Sequence, residues 1–242
     1  MIELPKMNFA HLPTPVEELP RLSAFLGGPR LLVKRDDQTG LAFGGNKTRK
    51  LEYLAAEALA HGAQTLITTG AIQSNHCRQT AATARRLGLD CILVLSGEPP
   101  ELPEGNTYLD MLLGAEFVWC SLEQRGAVLQ ETIKKAEQQG RNPFLIPYGG
   151  SNPTGAAAYA YALRELMAQE VRADWIVFAT SSGGTQAGLV AGKALLEFPC
   201  QILGISVDEE AGYFGQVVAN LAKEVTILLD NEKYIAESEV LV

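Results

Sequence analysis

Residues 40–54 read GLAFGGNKTRKLEYL. Gly40 and Gly45 stand at the spacing of a phosphate-binding P-loop, and Lys47 and Thr48 follow. That motif runs Gly, four residues, Gly, Lys, then Ser or Thr, and here Asn46 intrudes before the lysine. The context differs too. A P-loop leaves directly from a buried strand, whereas the apolar run LLVK ends at Lys34 and polar RDDQTG follows. The stretch reads instead as a helix start. Asn46 is a good N-cap, and Leu51, Leu54, Ala55 and Ala58 repeat on one helical face. Lys47, one turn before Leu51, falls on that stripe, while Arg49, Lys50 and Glu52 point elsewhere. Two readings of Lys47 stand. A lone lysine at a helix start commonly snorkels to water. A desolvated lysine has a lowered pKa, the state required for covalent chemistry with a carbonyl.

Outward from this stretch, short apolar runs alternate with helical segments. Strands are expected at 31–34, 65–69, 91–95, 116–119, 144–147, 175–179 and 201–206. Helices are expected at 16–26, 46–61, 75–87, 107–114, 122–139, 154–169, 185–197 and 211–222. Most of the strands are apolar throughout, as in sheets covered on both faces. The alternation specifies an α/β protein with mainly parallel sheets. The tail 230–242 lacks a capping signal and ends on an apolar run.

With 242 residues the chain can bury a sizeable core. Its formal charge of -8 argues against non-specific nucleic-acid binding. No apolar run approaches a membrane span, and the N-terminus lacks the pattern of a signal peptide. Cys77, Cys91, Cys120 and Cys200 form no CxxC pair, and His11, His61 and His76 share no ligand spacing. Free thiols in a reducing cytoplasm and no metal are expected.

Two further stretches carry chemistry. In TTGAIQSNHCRQTAATARRLG (68–88) a strand turns at Gly70 into a helix capped by Ser74 or Asn75. Free N–H groups at such a start suit a carboxylate or phosphate, and Ser74 is a candidate donor or nucleophile. Ser74 and Asn75 read equally as plain caps. In FATSSGGTQAGLVAGKAL (178–195) a strand runs into Ser181, Ser182, Gly183, Gly184 and Thr185 before a helix. Five small residues at this junction suit a phosphate cup. The GGxxxG spacing does not match a dinucleotide fingerprint, although Asp208 follows the next strand roughly where a ribose-binding acid sits. Together the three stretches specify a phosphate, a carboxylate and an amine-reactive centre. Pyridoxal phosphate carrying an amino acid has all three.

The segments TPVEELPRLS, VKRDDQTGLAFGGNKTRKLEYL, TLITTGAIQSNHCRQTAA, IPYGGSNPTGAAAY and SSGGTQAGL together resemble the 1-aminocyclopropane-1-carboxylate deaminases and D-cysteine desulfhydrases. These are tryptophan-synthase-β-like pyridoxal-phosphate enzymes of fold type II. The resemblance implies two three-layer α/β domains, the small one over 50–147 and the large one over 1–49 plus 148–242. It implies that Lys47 bonds the cofactor covalently and that Ser182, Gly183, Gly184, Thr185 and Lys50 hold its phosphate. Asn75 would meet the cofactor's phenolic oxygen, Ser74 would face the substrate, and the amides around Ser74, Asn75 and His76 would take its carboxylate. The substrate would be a small amino acid, and a homodimer is expected. QSNH, with His76, leans to the desulfhydrase side, since the deaminases resemble QSNQ. The resemblance fades after about residue 208, before the family's active-site tyrosines and its pyridine-nitrogen partner. An incomplete large domain with one sheet face uncovered is therefore expected, and Tyr213 and Tyr234 receive no role.

Overall fold

The computed structural model describes residues 1–207 and 209–242. Pro20 shapes the N-terminus. It fixes φ and lacks an N–H, so it opens a helix more readily than it continues one. The segment expected as one helix over 16–26 is accordingly split. Val16–Glu18 forms β1, and α1 begins at Pro20 and ends at Leu26. β1 pairs antiparallel with β2 (Leu32–Lys34). Two short 3-10 turns then lead to α2 (Lys47–Ala60).

The next elements are β3 (Thr65–Ala71), α3 (Asn75–Leu87), β4 (Asp90–Ser96), α4 (Gly105–Leu112), β5 (Glu116–Cys120), α5 (Arg125–Gln138) and β6 (Pro143–Leu145). Their strands make one parallel sheet in the order β5-β4-β3-β6. Both faces are covered. Leu66, Leu93 and Leu95 pack with Leu51 and Leu54 of α2 on one side, and Ile67 and Ile92 pack with Ala136 of α5 on the other. Two-sided burial is the reason these strands read as unbroken apolar runs. Each fully buried leucine contributes about 1.5–3 kcal/mol.

After the sheet come α6 (Pro153–Ala168), β7 (Trp175–Thr180), α7 (Gly184–Leu196), β8 (Gln201–Ser206) and α8 (Ala211–Leu228). β7 and β8 pair in parallel over a second core built with α6, α7 and α8. A Cβ at Gly188 would lie 1.9 Å from the Ala156 carbonyl oxygen, so α7 can approach α6 this closely only through glycine. The other face of the β7–β8 pair is open, with Trp175, Val177, Ile205 and Val207 each more than half exposed. α8 runs past its expected end at 222, because Val225 and Leu229 continue its buried stripe. The tail packs back on this core. Ile235 and Val240 are buried, and Leu241 bridges Leu203 beside β8.

A buried ionic network sets α2 against α6. Arg49, 3% exposed, donates to Asp36 and Glu165 at 2.8–3.0 Å and to Thr14 Oγ1 at 2.9 Å. The Tyr159 hydroxyl also donates to Asp36, at 2.8 Å, and Lys34 donates to Glu165 at 2.5 Å. Despite burial, the Arg49 and Lys34 bonds hold the Glu165 carboxyl down at about 2. Breaking one member would leave an uncompensated buried charge. The network therefore fixes the first turn of α2, which carries Lys47 and Lys50.

Candidate active site

The near-P-loop glycines serve packing. A Cβ at Gly45 (φ +130°) would lie 2.4 Å from Gln79 Nε2, and one at Gly40 (φ +93°) 2.7 Å from the His11 ring. The turn they build is filled by protein. It delivers Lys47 at the first position of α2, where burial lowers the amine's pKa.

Asn46 does not act as the expected cap. It sits at the N-cap position in right-handed helical conformation (φ -59°, ψ -24°), and its side chain makes no capping bond. A capping residue needs extended backbone to fold its side chain back over the first turn. The Asn46 carboxamide instead accepts from Lys47 Nζ at 3.5 Å and donates to Thr185 Oγ1 at 3.3 Å. The lysine and the small-residue junction are thus two hydrogen bonds apart.

That junction, between β7 and α7, has the construction of an anion cup. Gly183 (φ +77°) occupies the N-cap of α7, with no side-chain cap. The Gly184 N–H donates to Ser151 Oγ at 3.1 Å, and Ser151 Oγ donates to Ser182 Oγ at 2.8 Å. Lys50, 1% exposed, donates from Nζ to the Gly149 carbonyl oxygen at 3.1 Å and lies 3.5 Å from Ser151 Oγ. Burial and the nearby Lys47 push its pKa well down. A Cβ at Gly184 would stand 2.8 Å from this amine, and one at Gly149 would stand 2.1 Å from Ser182 Oγ. A lysine buried without a carboxylate partner is costly unless a charge joins it, and an anion at the N-terminus of α7 would supply that charge. Sequence reading missed Ser151. Its signal was the glycine pair before it in YGGSNPTG, which lets two turns approach each other.

The β3–α3 junction is built differently. Ser74 is the N-cap, with extended backbone (φ -66°, ψ 119°), and its Oγ accepts from the Cys77 N–H at 3.2 Å. Gly70 is required here, since a Cβ would lie 2.7 Å from Cys77 Sγ and 2.8 Å from Ser74 Oγ. Asn75 is exposed, and its Oδ1 accepts from Arg78 and Asn106, each at 3.0 Å. The His76 side chain turns away into the core, where Nε2 pairs with Thr68 Oγ1 at 2.9 Å. Burial, then the charges of Lys47 and Lys50, push its pKa well down, so the ring is neutral. Only the His76 backbone is left at the helix start. Tyr213 and Tyr234 are exposed, and Asp208 lies outside the described residues.

One lysine amine, one uncapped helix start with a buried cation and one serine-capped helix start therefore share a neighbourhood. A phosphorylated carbonyl cofactor matches this donor set. Lys47 would bond its carbonyl carbon, and Lys50, Ser151, Ser182, Thr185 and the first N–H groups of α7 would hold its phosphate.

Comparison with known proteins agrees. The family model described as "Pyridoxal-phosphate dependent enzyme" matches residues 7–238. The crystal structure of an ACC deaminase homologue is 39% identical, covering 99% of this chain and 74% of that one, with a TM-score of 0.90. The threonine deaminase of T.th. is 24% identical over 84% of this chain and 63% of that one, with a TM-score of 0.67. Escherichia coli diaminopropionate ammonia lyase is 20% identical over 81% of this chain and 58% of that one, with a TM-score of 0.61. The last two show the fold, and the chain spans less than two thirds of their length. The chain belongs to the family of pyridoxal-phosphate-dependent enzymes, and its cofactor is pyridoxal 5'-phosphate.

Proposed function

We propose that the protein is a pyridoxal-phosphate-dependent lyase or deaminase of small amino acids, of the D-cysteine desulfhydrase type. D-cysteine and water would give pyruvate, ammonia and hydrogen sulfide. The observation that carries this reading is Lys47, a half-buried amine with a lowered pKa at the start of α2, whose partner Asn46 also bonds Thr185 at the α7 start. The bound cofactor supplies the electron sink that acidifies the substrate Cα–H. Lys47 Nζ is the residue that would hold the cofactor's carbonyl carbon and, as a free amine, would take the Cα proton; its lowered pKa favours the neutral, basic form. Lys50 and the α7 start anchor the phosphate. Asn75 would donate to the cofactor's ring oxygen. The Asn75 and His76 N–H groups receive the substrate carboxylate.

The alternative substrate is the cyclopropane amino acid, favoured by the 39% identity to the ACC deaminase homologue. Ring opening needs a nucleophile, and Ser74 is the candidate. Its Oγ accepts from the Cys77 N–H, and among the described residues no base is bonded to it, which supports elimination. Two separate cores support a small unit over 50–147 and a large one over 1–49 plus 148–242, with Lys47 and Lys50 at the seam. Four buried free thiols support a reducing, cytoplasmic setting. A homodimer is carried over from the resemblance alone.

Titrating purified protein with pyridoxal phosphate tests the reading. A visible absorption band is expected, and Lys47→Ala abolishes it. Pyruvate plus sulfide from D-cysteine identifies the desulfhydrase. 2-Oxobutyrate plus ammonia from the cyclopropane substrate identifies the deaminase. A band without either turnover identifies a cofactor-binding protein that is inactive or needs a second chain.

A further inference from the structure

Arg78, on the first turn of α3, bonds groups outside the helix's own backbone ladder. Its Nη2 donates to the Gly44 carbonyl oxygen at 2.9 Å, three residues before Lys47. Its Nη1 donates to Asn75 Oδ1 at 3.0 Å and to Asn106 Oδ1, on α4, at 2.9 Å. A guanidinium only donates. Both carboxamides must therefore turn their oxygens toward Arg78, which leaves each Nδ2 facing away. Asn106 Nδ2 then donates to Asn75 Oδ1 at 3.0 Å and to the Gln73 carbonyl oxygen at 2.8 Å. The Asn106 N–H donates to Gln73 Oε1 at 2.8 Å, and Gln73 Nε2 donates to the Glu104 carbonyl oxygen at 3.2 Å. The loop before α3, the Lys47 turn and the start of α4 are thereby tied through one guanidinium and one carboxamide.

We propose that Arg78 and Asn106 are positioning residues that lock the polarity of Asn75, so that the α3 start presents only donors to its ligand. The inference rests on the cofactor-binding role assigned to Asn75 above and adds the device that orients it. Asn75 Oδ1 already accepts two bonds, and among the described residues Nδ2 has none. Nδ2 is the end left for a ligand, and it can serve only an acceptor. With the Asn75 and His76 N–H groups beside it, the junction selects an anionic oxygen. An amide free to flip would present its oxygen for part of the time and repel such a ligand. The clamp removes that state in advance. Because it reaches Gly44, it also keeps this donor set at a fixed distance from Lys47.

Asn106→Asp tests the clamp, because it keeps the shape and replaces the donor that faces Asn75 Oδ1 with an acceptor. Pyridoxal phosphate is titrated into the purified chain, and the dissociation constant and the position of the visible band are read. Asn106→Asp is expected to weaken affinity at least tenfold and to move the band, with Arg78→Lys weakening it about fivefold. In an Asn75→Ala background neither substitution is expected to change affinity by more than twofold, because the clamp acts through Asn75. Circular dichroism checks folding, and if the aspartate variant does not fold, Arg78→Lys carries the test. Wild-type affinity and band position in the folded variants overturn the proposal. So does an equal loss in the Asn75→Ala background, which would mark a merely structural role. A wild-type chain that forms no band overturns both this proposal and the cofactor role of Asn75.

Discussion

Two helix starts stand at this site, each following a parallel strand, and they solve the same problem in opposite ways. At α3 the orphan N–H of Cys77 is satisfied by the chain's own Ser74 Oγ. At α7 no side chain caps the helix, glycine holds a positive φ, and a lysine is buried beside the opening. A self-satisfied start binds a ligand weakly and keeps its geometry without one. A start left open beside a buried cation gains most from an anion carrying more than one charge. The difference is the ground for proposing the phosphate at α7 and the substrate carboxylate at α3.

The largest effect that would break this contrast lies at Lys50. Lys50→Met is expected to lower pyridoxal-phosphate affinity about a hundredfold, roughly 3 kcal/mol for a charge-assisted buried contact. Inorganic phosphate should raise the wild-type melting temperature and leave that of the variant unchanged. Equal protection of both would remove α7 from the phosphate assignment. A smaller effect is expected behind α3. Asp110 is fully buried on α4, neither carboxylate oxygen has a hydrogen bond among the described residues, and burial lifts its pKa from 3.8 to about 7 against the charge of Arg78. A raised folded-state pKa contributes stability that is complete below 3.8 and is lost as pH rises through about 7. Asp110→Asn should therefore stabilise the protein by on the order of 1–2 kcal/mol at pH 8 and by nothing below its unfolded value. Denaturant unfolding at the two pH values measures this, and a gain of the same size at both would refute it. The smallest effect is at the cap. Ser74→Ala should cost about 1 kcal/mol of stability in the absence of ligand. No change on its removal would mean that α3 is as open as α7.

Much of this arrangement was legible in the sequence because it is local. Ser74 before a helical stripe reads as a cap, and Ser181 to Thr185 after an apolar strand reads as a cup. The apolar runs at 65–69 and 91–95 announce a sheet buried on both faces. Asn46 misled, since its residue type is right for a cap while its backbone is helical and its side chain is drawn to Thr185. The spacing places Arg49 off the Leu51 stripe, and three acceptors from distant segments bury it there. Ser151, Arg78 and Asn106 left little trace, because their value lies in what they touch.

The sequence by itself determined the alternation of elements, the helix that begins at Lys47 and the two small-residue junctions. These follow from side-chain period and backbone preference within a few neighbouring residues. Only the tertiary structure decided which long polar side chain meets which partner. The Asn46 bond spans 139 residues and the Lys50 bond 99. At such separations local pattern carries no information, and a flexible side chain takes the partner that packing brings within reach. The same packing buries the Lys50 amine and half-buries that of Lys47, and this desolvation lowers both pKa values.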